Sequence, residues 1–324
     1  MLKVKDIKLP IKKEMNLFES KFTDSLKTNV PLLDKIMHYI IKRKGKQMRP
    51  MFVFLTAKLF NNVTSGTYTA ASLIELLHTA TLVHDDIIDE SNFRRGVFSI
   101  NALWKNKISV LVGDFLLSRG LLLAVEKEEF QLLKIVSRAV KNMSEGELLQ
   151  IEKTRKLTIT EDIYFDIISK KTAALISSCC ESGAESANAP KKDIKKMRIF
   201  GEKVGIAFQI KDDLFDYIQD PIIGKPTGMD IREKKMTLPL IHTLNKVDKK
   251  ARRFIINTIK NDSKNAEKIE KIINLVKENQ GLKYAEEKMN TYLKEALNIL
   301  EDFQNNEAKN SLINLVNYVV KRKK

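Results

Sequence analysis

Apolar residues recur along most of this chain at the three- and four-residue spacing of a helix face, and that pattern favours an all-helical protein over a strand-rich one. Residues 11–43 predict one long amphipathic helix with a break near Pro31. Gly45 to Pro50 is a basic turn, periodicity resumes over 51–61, and the cluster from Asn61 to Gly66 ends it. Over 67–90, Leu73, Ile74, Leu77, Ala80 and Val83 fall on helix spacing. Arg94-Arg95-Gly96 reads as a loop. Further helices are predicted over 99–127, 129–154, 161–184 and 191–219, then a loop over 221–228 with two prolines and two glycines. After Pro239 the pattern is helical to the end. No linker, low-complexity segment or internal repeat interrupts the series, so residues 1–324 read as a single all-α domain, one large helical bundle.

Composition supports that reading. No proline occurs between Pro50 and Pro190, so the longest stretch of chain lacks the strongest helix breaker. Hydrophobic residues make up 43% but aromatics only 7%, so aliphatic side chains must fill most of the core. The formal net charge of +16 suits nucleic acid, an anionic membrane surface or anionic small substrates, and equally a Lys-rich solvated surface. Lys321-Arg322-Lys323-Lys324 reads as a solvated tail. Cys179 and Cys180 are adjacent, a poor geometry for a structural disulfide, and read as thiols in a reducing compartment. The N-terminal residues carry no apolar run like a signal peptide, and no stretch offers about 18 charge-free apolar residues for a membrane span. A soluble, cytoplasmic protein is the expectation.

Two acidic clusters change the picture. Asp85-Asp86-Ile87-Ile88-Asp89 and Asp212-Asp213-Leu214-Phe215-Asp216 both place carboxylates at i, i+1 and i+4, and both end a strongly apolar helix. On a helix, positions i and i+4 share a face, so Asp85 and Asp89 are expected to point one way, as are Asp212 and Asp216. Carboxylates that close repel unless a cation neutralises them. Oxygen donors with no His or Cys at ligand spacing suggest magnesium, which keeps coordination positions for water and phosphate oxygens. Two such faces across a cleft would clamp a diphosphate through shared metal ions. One cluster alone would read as a polar helix end; the repeated spacing argues against that.

Basic residues sit in short separate motifs: Gly45-Lys46-Gln47-Met48-Arg49-Pro50, Arg94-Arg95-Gly96, Lys171-Thr172, Lys225, and Lys235-Met236-Thr237. A diphosphate calls for this chemistry, Arg binding its oxygens as a fork and Lys as a point charge. Any one of them alone would be a surface charge. His78 shares a helix face with positions 81, 85 and 89, which lifts it above a packing histidine.

The order Gly-Lys-x-x-Arg-Pro, His, Asp-Asp-x-x-Asp, Arg-Arg-Gly, Lys-Thr, Phe-Gln-x-x-Asp-Asp-x-x-Asp and Gly-Lys, from Gly45 to Pro239, resembles the trans-isoprenyl (polyprenyl) diphosphate synthases, in particular long-chain members such as octaprenyl and hexaprenyl diphosphate synthases. The resemblance implies an all-α bundle around a deep central cavity, and a homodimer. It implies that Asp85, Asp89 and Asp212 coordinate Mg2+, with Asp86 and Asp216 supporting them. It implies an allylic diphosphate site of Arg94, Lys171, Thr172, Gln209, Lys225 and Lys235, with Lys171 also acting in catalysis. It implies an isopentenyl diphosphate site of Lys46, Arg49, His78 and Arg95. The implied reaction ionises an allylic diphosphate such as farnesyl diphosphate in a dry apolar cavity and joins the isopentenyl unit to the cation. The released diphosphate then serves as the base.

Ala80 and Thr81, five and four residues before Asp85, are both small, and with Leu77 they line the expected path of the growing chain. At 1.5 Å per residue, Asp85 back to Ala70 spans roughly 22 Å, room for about four or five extended isoprene units; with the tunnel expected to continue beyond, the expected product is long, roughly six to eight units, of the kind used for quinone side chains. Transient membrane contact for product release is a further expectation. The alternatives are a short-chain farnesyl or geranylgeranyl diphosphate synthase, a class I terpene cyclase, a His-Asp metal phosphohydrolase on His84-Asp85, and a catalytically dead regulatory subunit. The cyclase has a different second motif, the phosphohydrolase lacks further His ligands, and a regulatory subunit would have lost aspartates. A nucleic-acid binder is disfavoured because the charges are dispersed among diphosphate-type motifs.

Overall fold

A computed structural model describes residues 4–43, 45–94, 96–218 and 227–321. Its helices are α1 (Val4–Ile7), α2 (Lys12–Ser25), α3 (Pro31–Lys42), α4 (Met48–Leu59), α5 (Ser65–Ile88), α6 (Ile100–Glu126), α7 (Phe130–Lys156), α8 (Glu161–Ile168), α9 (Ala174–Ser186), α10 (Lys191–Phe215), α11 (Met229–Arg232), α12 (Leu238–Lys246), α13 (Lys249–Asn261), α14 (Ala266–Glu278), α15 (Gly281–Glu301) and α16 (Glu307–Lys321). The all-α expectation holds, and most predicted helices appear within a few residues of their predicted ends.

Two differences have physical causes. The predicted 11–43 helix is two helices, because Pro31 opens α3 at a position where its missing N–H costs nothing. The predicted 161–184 helix is interrupted by a π-helical turn at Ser169–Ala173. The helical pattern expected after Pro239 is present as successive helices, with Asp248 and Asn265 capping α13 and α14 by accepting from Ala251 N (2.7 Å) and Lys268 N (3.1 Å). The Arg94 loop is the tip of a hairpin, β1 (Phe93–Arg94) with β2 (Val97–Phe98), pairing Phe93 with Phe98 and Arg94 with Val97.

The chain divides into two compact units, one of Met1–Val140, Ser178–Arg198 and Asp302–Leu315, the other of Lys141–Ser177, Ile199–Glu301 and Val316–Lys324. In the first, α5 is the central helix. Thr64 and Thr67 form a capping box at its start, and Ala70, Leu73, Ile74, Leu76, Leu77 and Ala80 are buried. Helix α6 packs along it at close range through glycines. A Cβ at Gly113 would lie 2.1 Å from His84 Nε2, and one at Gly120 would lie 3.2 Å from Leu73 Cδ1. In the second unit, α12 packs on α8, α14 and α15.

Helix α6 bears on the membrane reading. It is long and apolar enough to cross a membrane by length and composition, with mean hydropathy 1.9 over an 18-residue window that is 33% buried. Asp114 and Arg119 keep its apolar stretch from being charge-free.

Candidate active site

The second acidic cluster ends α10. Asp212 and Asp213 lie in its last turn, and Asp216 is the first residue beyond it. The Asp216 N–H bonds the Asp213 carbonyl (3.3 Å), a tighter turn than the helical i to i+4 register expected of Asp212 and Asp216. Instead the Asp216 carboxylate accepts the Met229 N–H (2.8 Å) and the Asp230 N–H (3.1 Å), two free donors at the start of α11. Gly228, at φ 75°, makes the turn into α11 and donates its N–H to the Asp216 carbonyl (2.9 Å).

A cavity of about 710 Å³ opens here within the second unit. Of the predicted residues, Lys171, Thr172, Gln209, Asp212, Asp216 and Lys235 line it. The π-helical turn matters, because its wider winding lets the consecutive residues Lys171 and Thr172 both reach this wall. Two glycines hold that turn. A Cβ at Gly146 would lie 2.8 Å from Lys171 N, and one at Gly205 would lie 2.4 Å from Ala173 Cα. Lys171 pairs with Glu147, and Lys235 Nζ lies 2.6 Å from Glu233 Oε2.

Several lining residues were not predicted, chiefly Tyr164, Asp213, Asp230 and Glu233. Asp213 is buried (5% exposed). Tyr164 donates its hydroxyl to Asp213 Oδ2 (2.7 Å), Gln209 donates Nε2 to Oδ1 (2.8 Å), and Thr172 donates its hydroxyl to Gln209 Oε1 (2.7 Å). Burial pushes the Asp213 carboxyl up to about 8, reinforced by the charge of Asp230 and opposed by the bonds from Tyr164 and Gln209. Burial, with Asp216 nearby, pushes Asp230 up to about 6. The same Asp213 charge and, above all, burial hold the Tyr164 phenol well above its usual range. Asp213 was legible as part of the motif. Asp230 was not, because its proximity depends on the turn at Gly228.

The first cluster lies in the first unit. Asp86 is buried and receives Arg94 Nε at 2.7 Å. Its carboxyl is raised, burial outweighing the Arg94 charge. Asp85 is half-buried; Asp89 lies exposed just past α5, its N–H bonded to the Asp85 carbonyl (2.8 Å), so this pair keeps helical register. A smaller cavity of about 140 Å³ gathers Arg49, His78, Asp86 and Arg94, together with Gln47 and Glu75. Arg49 lies 3.9 Å from Glu75 Oε2. Arg94, expected with the allylic set, is thus placed beside Arg49 and His78. Lys46 is not among the residues lining this cavity. Arg95 and Lys225 lie outside the described residues.

His84, the alternative metal ligand, turns toward α6, 3.3 Å from the Val110 carbonyl and 3.7 Å from Asp114 Oδ1. On α5, Leu77 and Ala80 are buried, Leu77 against Gly120, and the half-buried Thr81 donates its hydroxyl to the His78 carbonyl (2.9 Å).

Among the described residues no three carboxylate, imidazole or thiol side chains converge to hold an ion alone. The donors still fit a hard divalent cation. They are carboxylate oxygens, and such an ion completes its shell with water and phosphate oxygens; beside them, Asp213 and Asp230 are raised chiefly by burial and in part by neighbouring carboxylates.

The family model for polyprenyl synthetase matches residues 30–276. An all-trans-nonaprenyl-diphosphate synthase (geranyl-diphosphate specific) of Rhodobacter capsulatus is 34% identical over 319 residues, covering 98% of this chain and 97% of that protein. An octaprenyl diphosphate synthase of Haemophilus influenzae is 32% identical, covering 95% of this chain and 94% of its own. The crystal structure of a decaprenyl diphosphate synthase from Rhodobacter capsulatus superposes with a TM-score of 0.93 at 32% identity, over 99% of this chain and 100% of that one.

Proposed function

Because the chain belongs to the polyprenyl synthetase family, we propose that it is a long-chain trans-prenyltransferase, condensing isopentenyl diphosphate head-to-tail onto an allylic diphosphate. The observation that carries this reading is the convergence of Lys171, Thr172, Gln209, Asp212 and Lys235 on one cavity, cationic and hydrogen-bonding groups beside a carboxylate cluster. The names of the similar synthases, with nonaprenyl and octaprenyl products, support a long all-trans product. A quinone side chain is the use we assign to it, and farnesyl diphosphate is a suitable primer.

Asp85, Asp89 and Asp212 are the residues that would hold the metal. A divalent cation, magnesium by the donor chemistry, would neutralise charge on the departing diphosphate when bound. The chain's own groups do the rest. Lys171 and Lys235 take up negative charge on the leaving oxygens as the allylic C–O bond breaks, each turning from its present carboxylate partner, Glu147 or Glu233. Thr172 and Gln209 orient the same diphosphate. Arg49 and His78, in their basic cavity, bind the isopentenyl diphosphate, with Lys46 and Arg95 assigned to the same task. Arg94 holds Asp86 and, from its place in that cavity, serves the isopentenyl side as readily as the allylic one. The double bond attacks the allylic cation, and the released diphosphate removes the proton, so no side-chain base is required.

Helix α6 leaves Leu103, Val110, Leu111, Leu121, Leu122 and Val125 exposed, an apolar face that suits pairing with a second copy as a homodimer better than exposure to water. We place the enzyme in the cytoplasm, touching membrane transiently to release its product. The deciding experiment is product analysis after incubation with radiolabelled isopentenyl diphosphate, farnesyl diphosphate and magnesium. A ladder ending at about six to eight units is expected from the tunnel estimate; an absence of any elongation would overturn the assignment.

A further inference from the structure

Tyr164 is buried in α8 with no place in the reaction described above, yet its hydroxyl starts a continuous chain of side-chain bonds into the cavity wall. The first link is Tyr164 to Asp213 Oδ2 at 2.7 Å. The second is Gln209 to Asp213 Oδ1 at 2.8 Å. The third is Thr172 to Gln209 Oε1 at 2.7 Å. Asp213 is 5% exposed, so both its oxygens rely on these donors rather than on water. The Tyr164 hydroxyl meets Oδ2 and the Gln209 amide nitrogen meets Oδ1, so both Asp213 oxygens accept, which sets the direction of the chain. With Asp213 accepting on Oδ1, the Gln209 amide must present nitrogen to it and oxygen to Thr172. The Gln209 side chain, which could otherwise lie either way round, is thereby set in one orientation.

From this geometry we infer that Tyr164 is a positioning residue: by holding Asp213, it fixes the Gln209 amide and the Thr172 hydroxyl, and with them the grip of the cavity on the allylic diphosphate. The inference rests on the reading of that cavity as the allylic site. Tyr164 touches no reacting atom in this account. Its effect passes through Asp213, which sits beside Asp212 in the last turn of α10, and through Gln209, one turn earlier on the same helix. The Thr172 end of the chain lies in the π-helical turn that also carries Lys171. One buried hydroxyl thus ties α8, α10 and the π-helical turn into a single arrangement. A polar network of this kind is specific when every member is satisfied and loosens as a unit when one donor is removed.

The test is Tyr164→Phe, assayed for both Michaelis constants, kcat and thermal midpoint, alongside Lys171→Ala. The expected result is an allylic KM raised by up to about tenfold, the upper end of the effect of losing one buried hydrogen bond, with the isopentenyl KM unchanged. A purely structural tyrosine would lower the melting temperature and leave that split unmoved. An unchanged allylic KM in folded Tyr164→Phe, or both constants rising together, overturns the positioning role. If Lys171→Ala also leaves allylic KM and kcat untouched, the reading of the cavity itself fails. If Lys171→Ala is impaired and Tyr164→Phe is normal, only the role of Tyr164 fails. Should Tyr164→Phe not fold, Asp213→Ala probes the next link, since it removes both oxygens that accept from Tyr164 and Gln209. The same selective rise in allylic KM is expected there, and a normal value refutes the chain. Where both variants fold, adding Tyr164→Phe to Asp213→Ala should cost little further; multiplied losses would show two independent effects and overturn the coupling.

Discussion

The two acidic clusters share one spacing in sequence and differ in what the fold does with it. Both middle carboxylates turn inward, Asp86 at 4% exposure and Asp213 at 5%. Asp86 meets a cation, Arg94, whereas Asp213 meets two neutral donors, Tyr164 and Gln209. The last carboxylates diverge as well. Asp89 is exposed at the end of α5, while Asp216 is spent on the N–H groups that open α11. An Asp-Asp-x-x-Asp motif therefore specifies where carboxylates lie along the chain but not which of them faces a ligand. In each cluster the first aspartate, Asp85 or Asp212, is half-buried, neither sequestered nor fully solvated, and in the second cluster Asp216 is half-buried as well. The middle one is a structural anchor, and the surroundings decide the task of the third.

The largest effect should come from the residues that the comparison leaves equivalent. Asp85→Ala and Asp212→Ala are each expected to lower kcat by at least about a hundredfold, the scale of losing one electrostatic contributor to a transition state, while circular dichroism shows an intact helical fold. Magnesium titration of each variant should show a raised half-saturating concentration, as expected for a lost ligand. Near-normal turnover in either would separate the two clusters in function as well as in surroundings.

A second contrast lies between the two cavities. The basic cavity of Arg49 and His78 is assigned to isopentenyl diphosphate and the larger one to the allylic substrate. Arg49→Ala should raise the isopentenyl KM about tenfold and Lys171→Ala should chiefly lower kcat, since ground-state and transition-state contacts appear in different constants. Arg94→Ala distinguishes the two assignments of that residue. A rise confined to the isopentenyl KM would follow its place in the structure, and one confined to the allylic KM would follow the sequence motif.

Much of this was legible in the sequence for a simple reason: helix periodicity and motif spacing are local. The ends of α5 and α10, the inward-facing Leu77 and Ala80, and the aspartate clusters all follow from residues within a few turns of one another. The rest depends on contacts that no short window contains. Asp230 enters the cavity only because Gly228 turns the chain back to Asp216. The π-helical turn at Ser169–Ala173 is held by glycines on α7 and α10, far away in sequence. Arg94 looked like an allylic residue by its motif, and only the hairpin pairing shows it directed at Asp86.

Product length is the next test, and it concerns the first cluster alone. Ala80→Phe and Thr81→Phe each add an aromatic ring to α5 just before Asp85. Both should shorten the product to about three or four units, judged from the rise of the helix, without abolishing condensation. Thr81 is one turn from Asp85 on the same helix face and should have the stronger effect. Ala80 is 2% exposed, so its variant also strains packing, and its melting temperature must be measured alongside the product ladder. An unchanged ladder from both folded variants would remove this stretch of α5 from the path of the growing chain.

The smallest expected effect concerns protons, and it sharpens the contrast between a carboxylate with a cation and one without. Burial pushes Asp213 up to about 8 and Asp230 up to about 6. Both stand above the value of about 3.9 expected in the unfolded chain. A raised folded-state value means that the fold favours the protonated form. The stability each group contributes is therefore complete below about pH 4 and is lost as pH rises through the folded-state value. For Asp230 that loss centres near 6, and for Asp213 near 8. The metal-free protein should thus lose a few degrees of melting temperature between about pH 5 and pH 9, on the usual scale for a domain of this size. Asp230→Asn should flatten the lower part of that decline directly. It should also ease the upper part, because the Asp230 charge is one of the causes that raise Asp213. Magnesium should oppose the decline by binding the folded, ionised cluster. A melting temperature that stayed level or rose over this range in the metal-free protein would show that the second cluster has a compensating cation, as Arg94 is for Asp86.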